Sequence, residues 1–391
     1  MRKLPFFVVT VAHFFVDSYA TMLTPTLPIF VDRLELSHAS AGLLGMIVSV
    51  CNVSQPLLGV WADGMRRRWL VLAGLALVSV FMPLMGVAPS YWTLVAMLCL
   101  GGIGVAAFHP QVFSLAGELA GNRRFFGLSL FTFGGTMGLG VTPLWAAPMA
   151  SRIGLEWLPV VGLPGLIFLF VLWRVVPLDN PHMKGAGKRP SLLEGLDGAG
   201  RHLALITAVV ILRSMTTLGY GFFLTVLAKE RGLSDIEWGV TLSVYNVSGV
   251  VGSLIFGYLA DRISPRPLVW GTLILSAPCL YLYLGAEGIL AYVLLTLGGG
   301  LLMASNSILV ALAQELAPKS SGLASSLPLG FSWGVGSLAL YPVGWIADQI
   351  GLTGALAGLA WLPLVSAIPA FFLPNRPAKL DEDKTVTEAM T

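Results

Sequence analysis

Charge is scarce in this sequence. Lys, Arg, Asp and Glu make up 11% of its 391 residues, where a soluble chain carries roughly 25%. That is too little to coat a globule of this size in water, so a soluble protein is excluded. A hydrophobic content of 56% excludes a disordered chain as well. Cysteine is rarer still. Cys51, Cys99 and Cys279 each lie in an apolar run and read as small buried hydrophobes, so neither a disulfide framework nor a cysteine metal site is indicated. There is no phosphate loop with its lysine, no H-E-x-x-H and no glycine-rich turn after a strand. ATP-driven transport by this chain alone, enzymatic chemistry, a cofactor and a metal are therefore not expected. A net charge of +3 is too small to argue for nucleic acid.

Long apolar runs are abundant. A helix that crosses a bilayer needs about 20 mostly apolar residues. Twelve runs qualify: 4–31, 39–62, 69–87, 91–119, 126–149, 155–177, 203–228, 237–260, 268–285, 288–314, 322–346 and 353–373. They are apolar all round and far longer than the alternating segments of a strand barrel, so helices are expected. The first run is too long for a signal-peptide core and has no small-residue cleavage site near its end. Basic residues cluster on one side of these runs: Arg2 and Lys3, Arg66 to Arg68, Arg123 and Arg124, Lys184 to Arg201, Arg262 and Arg266, Lys319, and Arg376 to Lys384. The opposite loops hold only Arg33, Arg152, Lys229 and Arg231. By the positive-inside rule both termini are cytoplasmic, as an even number of spans requires.

The longest hydrophilic stretch, 178–201, divides the chain into six runs and six runs, and the halves resemble each other. Gly59-Val-Trp-Ala-Asp63 answers to Gly257-Tyr-Leu-Ala-Asp261, Glu118-Leu-Ala to Glu315-Leu-Ala, and Gly134, Gly138 and Gly140 to Gly330, Gly334 and Gly336, all at offsets of 196 to 198. Duplication of six spans marks a transporter built from two bundles, with the substrate held between them near mid-membrane. The expected organisation is a bundle over 1–177, a cytoplasmic linker over 178–201, a second bundle over 202–375 and a cytoplasmic tail over 376–391.

Six plus six spans, with Gly59, Asp63, Arg67 and Arg68 after the second, resemble the major facilitator superfamily. Arg66 stands where that family usually has a glycine, and Gly257, Asp261, Arg262 and Arg266 echo the motif after span eight. Within the superfamily, His13-Phe-x-x-Asp17, Gly104-Val-Ala-Ala-Phe-His109-Pro110 and Gly134-Gly135-x-x-Gly138 resemble the fosmidomycin-resistance group of efflux proteins. The resemblance implies an all-α fold of twelve transmembrane helices in two pseudo-symmetric bundles. It also implies that spans one, four, seven and ten line a central cavity. Asp63 with Arg67 and Arg68, and Asp261 with Arg262, would form a cytoplasmic latch between the bundles. Topology alone also accounts for the arginines.

Charged groups inside hydrocarbon cost at least ~2.5–3.5 kcal/mol each at a helix centre, so those kept there point to function. Asp17 lies roughly 18–20 Å along span one, and Arg213 roughly 15 Å along span seven. His109 is central in span four, before the helix-kinking Pro110. His13 and Asp17 are four residues apart and share a helix face. A carboxylate beside an imidazole in a low dielectric can exchange a proton, which marks Asp17, with His13 and His109, as the proton-coupling candidates. The alternative is a structural hydrogen bond. Arg213 keeps its proton and must be paired or wetted; Asp17, another polar group or an anionic substrate would serve. Gln111, Asn306 (where span four has His109) and Tyr220 complete the candidate substrate site. The resulting expectation is a monomeric, proton-coupled exporter of a small organic molecule or drug in the bacterial inner membrane, with substrate, protons and lipid as its partners. An uptake symporter for an organic anion is the alternative.

Overall fold

A computed structural model describes residues 2–54, 67–121, 124–176, 199–260, 262–317, 324 and 326–374, and all regular structure among them is helical. That follows from a lipid environment, where every backbone group must be satisfied inside its own segment. The first apolar run forms α1 (Lys3–Ala20) and α2 (Leu23–Arg33). Pro25 has no N–H to return to the Thr21 carbonyl, so the helix breaks there. The Thr21 hydroxyl caps the break by donating to the Asp17 carbonyl at 2.8 Å. Next come α3 (His38–Val50), α4 (Arg67–Leu84), α5 (Tyr91–Ala120), α6 (Arg124–Arg152) and α7 (Leu158–Val175). The second half contains α8 (Gly200–Glu230), α9 (Asp235–Ala260), α10 (Pro265–Tyr283), α11 (Gly288–Met303) and α12 (Ser305–Leu316). It closes with α13 (Ser332–Ser337), α14 (Leu340–Ile350), α15 (Leu352–Ala360) and α16 (Leu362–Phe371).

Eight of the twelve apolar runs correspond, among the described residues, to helical stretches long and apolar enough to cross a membrane. The other four are represented by α3, α6, α10 and the broken stretch from Leu327 through α14. Most of the 178–201 segment, all of the 376–391 tail and the latch residues Gly59, Asp63 and Asp261 lie outside the described residues. Arg67 begins α4, Arg68 lies over the Trp173 ring, and Arg262 contacts the Tyr258 hydroxyl.

Within the first half, α1 packs on α5 and α6, and α4 on α5 and α7. Within the second, α9 and α10 pack on α11, and α8 and α10 on α16. The halves meet along two long contacts, α6 with α9 and α3 with α14, and α2 also rests on α8. Small residues permit this closeness. A Cβ on Gly42 would lie 2.2 Å from the Leu340 carbonyl oxygen, and one on Gly344 2.1 Å from that of His38.

At the end towards which α2 runs, polar contacts tie one half to the other. Asp235 accepts from Arg152 Nε at 2.9 Å and from the Ser151 hydroxyl at 2.6 Å. Lys229 pairs with Asp32 and donates to the Pro28 carbonyl at 3.1 Å. The Thr225 hydroxyl donates to the Thr24 carbonyl at 2.7 Å. Arg152 and Lys229, which the sequence marks only as loop charges, hold the halves together.

Candidate proton and substrate site

The site is built on α1, α5 and α6 from the first half and on α8 and α12 from the second. Asp17 lies about 21 Å along α1, and Arg213 about 20 Å along α8, so the two sit at similar depth. Arg213 is deeper than expected because α8 begins at Gly200.

One turn of α1 places His13 beneath Asp17, with Nε2 3.2 Å from Oδ2. His109 comes from α5, and its Nε2 lies 3.1 Å from the other carboxylate oxygen, Oδ1. The His13 ring stacks on Phe131, centroids 4.2 Å apart, and meets His109 edge-on at 5.2 Å. His13 Nδ1 lies 3.0 Å from the Phe131 carbonyl, and His109 Nδ1 2.9 Å from the Val105 carbonyl. Side-chain exposure is 4% for His13 and 15–16% for Asp17 and His109.

The partners determine where the hydrogens sit. A carbonyl oxygen only accepts, so each Nδ1 carries hydrogen and donates. Each Nε2 then faces a carboxylate oxygen. Each Nε2 is thus the ring nitrogen left to share a hydrogen with the carboxylate, at 3.1 Å from His109 and 3.2 Å from His13. A carboxylate set between two imidazoles at these distances can exchange a proton with either ring. The same donor atoms, all within 4.8 Å of one another, have a spacing that could hold a metal ion.

Gly135 gives the triad its room. A Cβ there would lie 2.4 Å from Asp17 Oδ2 and 2.5 Å from His13 Cε1. At Gly134 it would lie 2.5 Å from a Thr10 methyl, and at Gly138 2.6 Å from the Phe14 carbonyl oxygen. The glycine cluster of α6 thus serves close packing against α1.

Arg213 is fully buried and does not pair with Asp17. Its Nη2 donates to Asn306 Oδ1 at 3.1 Å, and its guanidinium lies 5.8 Å from the centre of the Trp333 ring. Nε and Nη1 have no hydrogen-bond partner among the described residues. Leaving N–H groups of a cation buried and unmatched is costly, so this geometry favours an incoming acceptor.

A cavity of about 200 Å³ lies between the halves, towards the tied end. Thr21, Thr24, Ser49, Thr217, Tyr245, Asn246 and Trp333 contribute to an otherwise apolar lining. Asp17, His109, Arg213, Gln111, Asn306 and Tyr220 do not line it. Gln111 is buried on α5. Tyr220 is buried on α8, its hydroxyl 3.2 Å from the Leu280 carbonyl and 3.1 Å from that of Leu356. Sequence reasoning missed the Phe131 stack on His13 and the contacts at the tied end. An aromatic four residues before Gly135 was the available signal for the first.

The sequence profile described as Major Facilitator Superfamily matches residues 9–339, with a second match over 208–389. The chain is 28% identical over 381 residues to the MFS-type transporter YfnC of Bacillus subtilis, covering 94% of this chain and 92% of that one. It is 24% identical over 380 residues to the fosmidomycin resistance protein of Escherichia coli, with the same coverage. To the multidrug resistance protein MdtG of Citrobacter koseri it is 25% identical over 318 residues, or 74% and 76% of the two chains. The crystal structure of a bacterial homologue of the human lysosomal transporter spinster, inward-facing and occupied, superposes with a TM-score of 0.82 at 16% identity, covering 94% of this chain and 96% of that one.

Proposed function

The chain belongs to the major facilitator superfamily, and on that premise we propose that it is a proton-coupled exporter, exchanging a small organic molecule or drug for protons. The observation that carries this reading is the triad of His13, Asp17 and His109. It brings a carboxylate and two imidazoles together about 20 Å along the membrane-crossing helices, where ionisable groups are costly to keep without a use. Two relatives are named for resistance to fosmidomycin or to several drugs, and resistance through a carrier means export.

In this reading the chain crosses the bacterial inner membrane twelve times as a monomer, with both termini cytoplasmic. The halves 1–177 and 202–375 rock against each other around the central site, joined by 178–201 and followed by the 376–391 tail. The tied end then faces outward, and the cavity beneath it is the outer part of the substrate path. Asp17, His109 and Arg213, with Gln111 and Asn306, become accessible as the halves move. Gly59, Asp63, Arg67, Arg68, Asp261 and Arg262 form the cytoplasmic latch, biasing the inward–outward equilibrium without touching substrate.

The unmatched N–H groups of Arg213 favour a substrate bearing a compact anionic group, and they equally suit uptake of an organic anion by symport. Proteoliposomes with an imposed pH gradient separate the two. Fosmidomycin, siderophore-like compounds and common antibiotics would first be screened by thermal shift. Each binder would then be loaded and its flux followed. Export predicts accumulation on the acidic side. Accumulation on the alkaline side would establish symport, and flux indifferent to the gradient would refute proton coupling.

A further inference from the structure

Another cross-link between the halves is centred on His38, which no motif singled out. His38 is the first residue of α3, at the membrane surface on the tied end. Its Nε2 lies 2.8 Å from Glu230 Oε1 at the end of α8, and its Nδ1 2.9 Å from Asp348 Oδ1 on α14. Asp348 also accepts the backbone N–H of His38 at 2.7 Å and of Ala39 at 3.0 Å. A carboxylate from the second half therefore caps the N-terminus of a helix in the first, where the exposed N–H groups and helix dipole favour an anion.

Both ring nitrogens face carboxylate oxygens. Ionised carboxylates only accept, so both nitrogens carry hydrogen and the ring is an imidazolium. We propose that the His38 bridge to Glu230 and Asp348 is a pH-operated latch: the imidazolium holds the outward end of the transporter shut, and loss of its proton releases it. The proposal rests on the reading that the tied end faces outward. A neutral ring donates from one nitrogen only, so one carboxylate would then face a lone pair.

The surroundings permit this titration. The side chain is 24% exposed, and the two carboxylates are 42% and 22% exposed. The charges beside the bridge include Lys229, paired with Asp32 of α2, Arg33, which donates to the Gly86 carbonyl at 3.0 Å, Glu35, three residues before His38, and Arg231, which follows Glu230 and donates to the Leu284 carbonyl. Farther along the seam, Arg152 pairs with Asp235. None of these changes charge near neutral pH, whereas histidine does. The Glu230 carboxylate, opposed by partial burial and aided by Asp348, holds the His38 pKa above its ordinary value of 6.5. Closure is thus fully favoured below the ordinary pKa and weakens as external pH rises through the raised one.

The test uses the substitution Thr24→Cys, because Thr24 lines the cavity beneath the seam. In a background lacking Cys51, Cys99 and Cys279, a membrane-impermeant maleimide is applied from outside between about pH 5.5 and about pH 8. His38→Gln and His38→Arg are carried in parallel, so the pH dependence of the thiol itself cancels. Relative to His38→Arg, the His38 protein should label equally at the acidic end and progressively faster as pH rises. The limit is about tenfold for each unit by which the bridged pKa exceeds that of the open state. His38→Gln should label fast throughout. Parallel profiles for His38 and His38→Arg would overturn the latch. Labelling of the introduced thiol only from the cytoplasmic side would overturn the orientation instead.

Discussion

The centres of the two halves use the same repeat positions for opposite charges. Asp17 and Arg213 are 196 positions apart, at the offset of the internal duplication. Each is followed by a serine, and four residues on by a threonine whose hydroxyl donates back to its carbonyl, at 2.8 Å from Thr21 and 3.2 Å from Thr217. Each also bonds to the corresponding position of a later helix, Asp17 to His109 at 3.1 Å and Arg213 to Asn306 at 3.1 Å. The difference lies in what completes the pair. In the first half His13 supplies a second partner, so both oxygens of the carboxylate are matched. In the second half the equivalent position is Val209, fully buried, and two guanidinium nitrogens stay unmatched among the described residues. In the proposed reading, the first centre holds protons. In the same reading, the second receives an acceptor from outside the chain.

That contrast is broken most completely at Asp17. Asp17→Asn should reduce gradient-driven accumulation to the level of empty vesicles while substrate exchange persists, measured in paired proteoliposome assays. If accumulation survives, the triad is not the coupling centre. Arg213→Gln should leave proton coupling in place and weaken binding of an anionic substrate by roughly 10- to 100-fold, the range expected for losing a charged hydrogen-bonding partner. Isothermal titration across anionic and neutral ligands checks this, since neutral ligands should bind almost unchanged. Gly135→Ala is the mildest. Its Cβ must push Asp17 and His13 aside, so thermal stability should fall by about 1–3 kcal/mol and transport should slow. An alanine that leaves the melting temperature unaltered would show that the triad is looser than its packing implies.

The sequence reveals the local part of this design and hides the assembled part. His13 and Asp17 are legible because four residues on a helix place them on one face. His109 and Asn306 are legible because the duplication aligns them. Arg213 is legible as a buried cation, but its partner is not, because contacts between helices are not encoded in spacing. The seam at the tied end is illegible for the same reason. Asp32, His38, Lys229, Glu230, Asp235 and Asp348 lie in or beside short loops, where isolated charges ordinarily mark only the membrane surface. Tyr220 reads as a cavity residue on composition, yet the carbonyls that receive its hydroxyl come from α10 and α15, far along the chain.

The central claim is that the carrier exchanges substrate for protons held at the triad of His13, Asp17 and His109. Its most direct test is proton release on binding. Purified protein in weak buffer with a pH indicator would be mixed with fosmidomycin, or with the best binder from the thermal-shift screen. The account predicts release of protons by the wild type and none by Asp17→Asn under conditions where both bind. Equal release from the two proteins, or binding to the wild type without release, would contradict it.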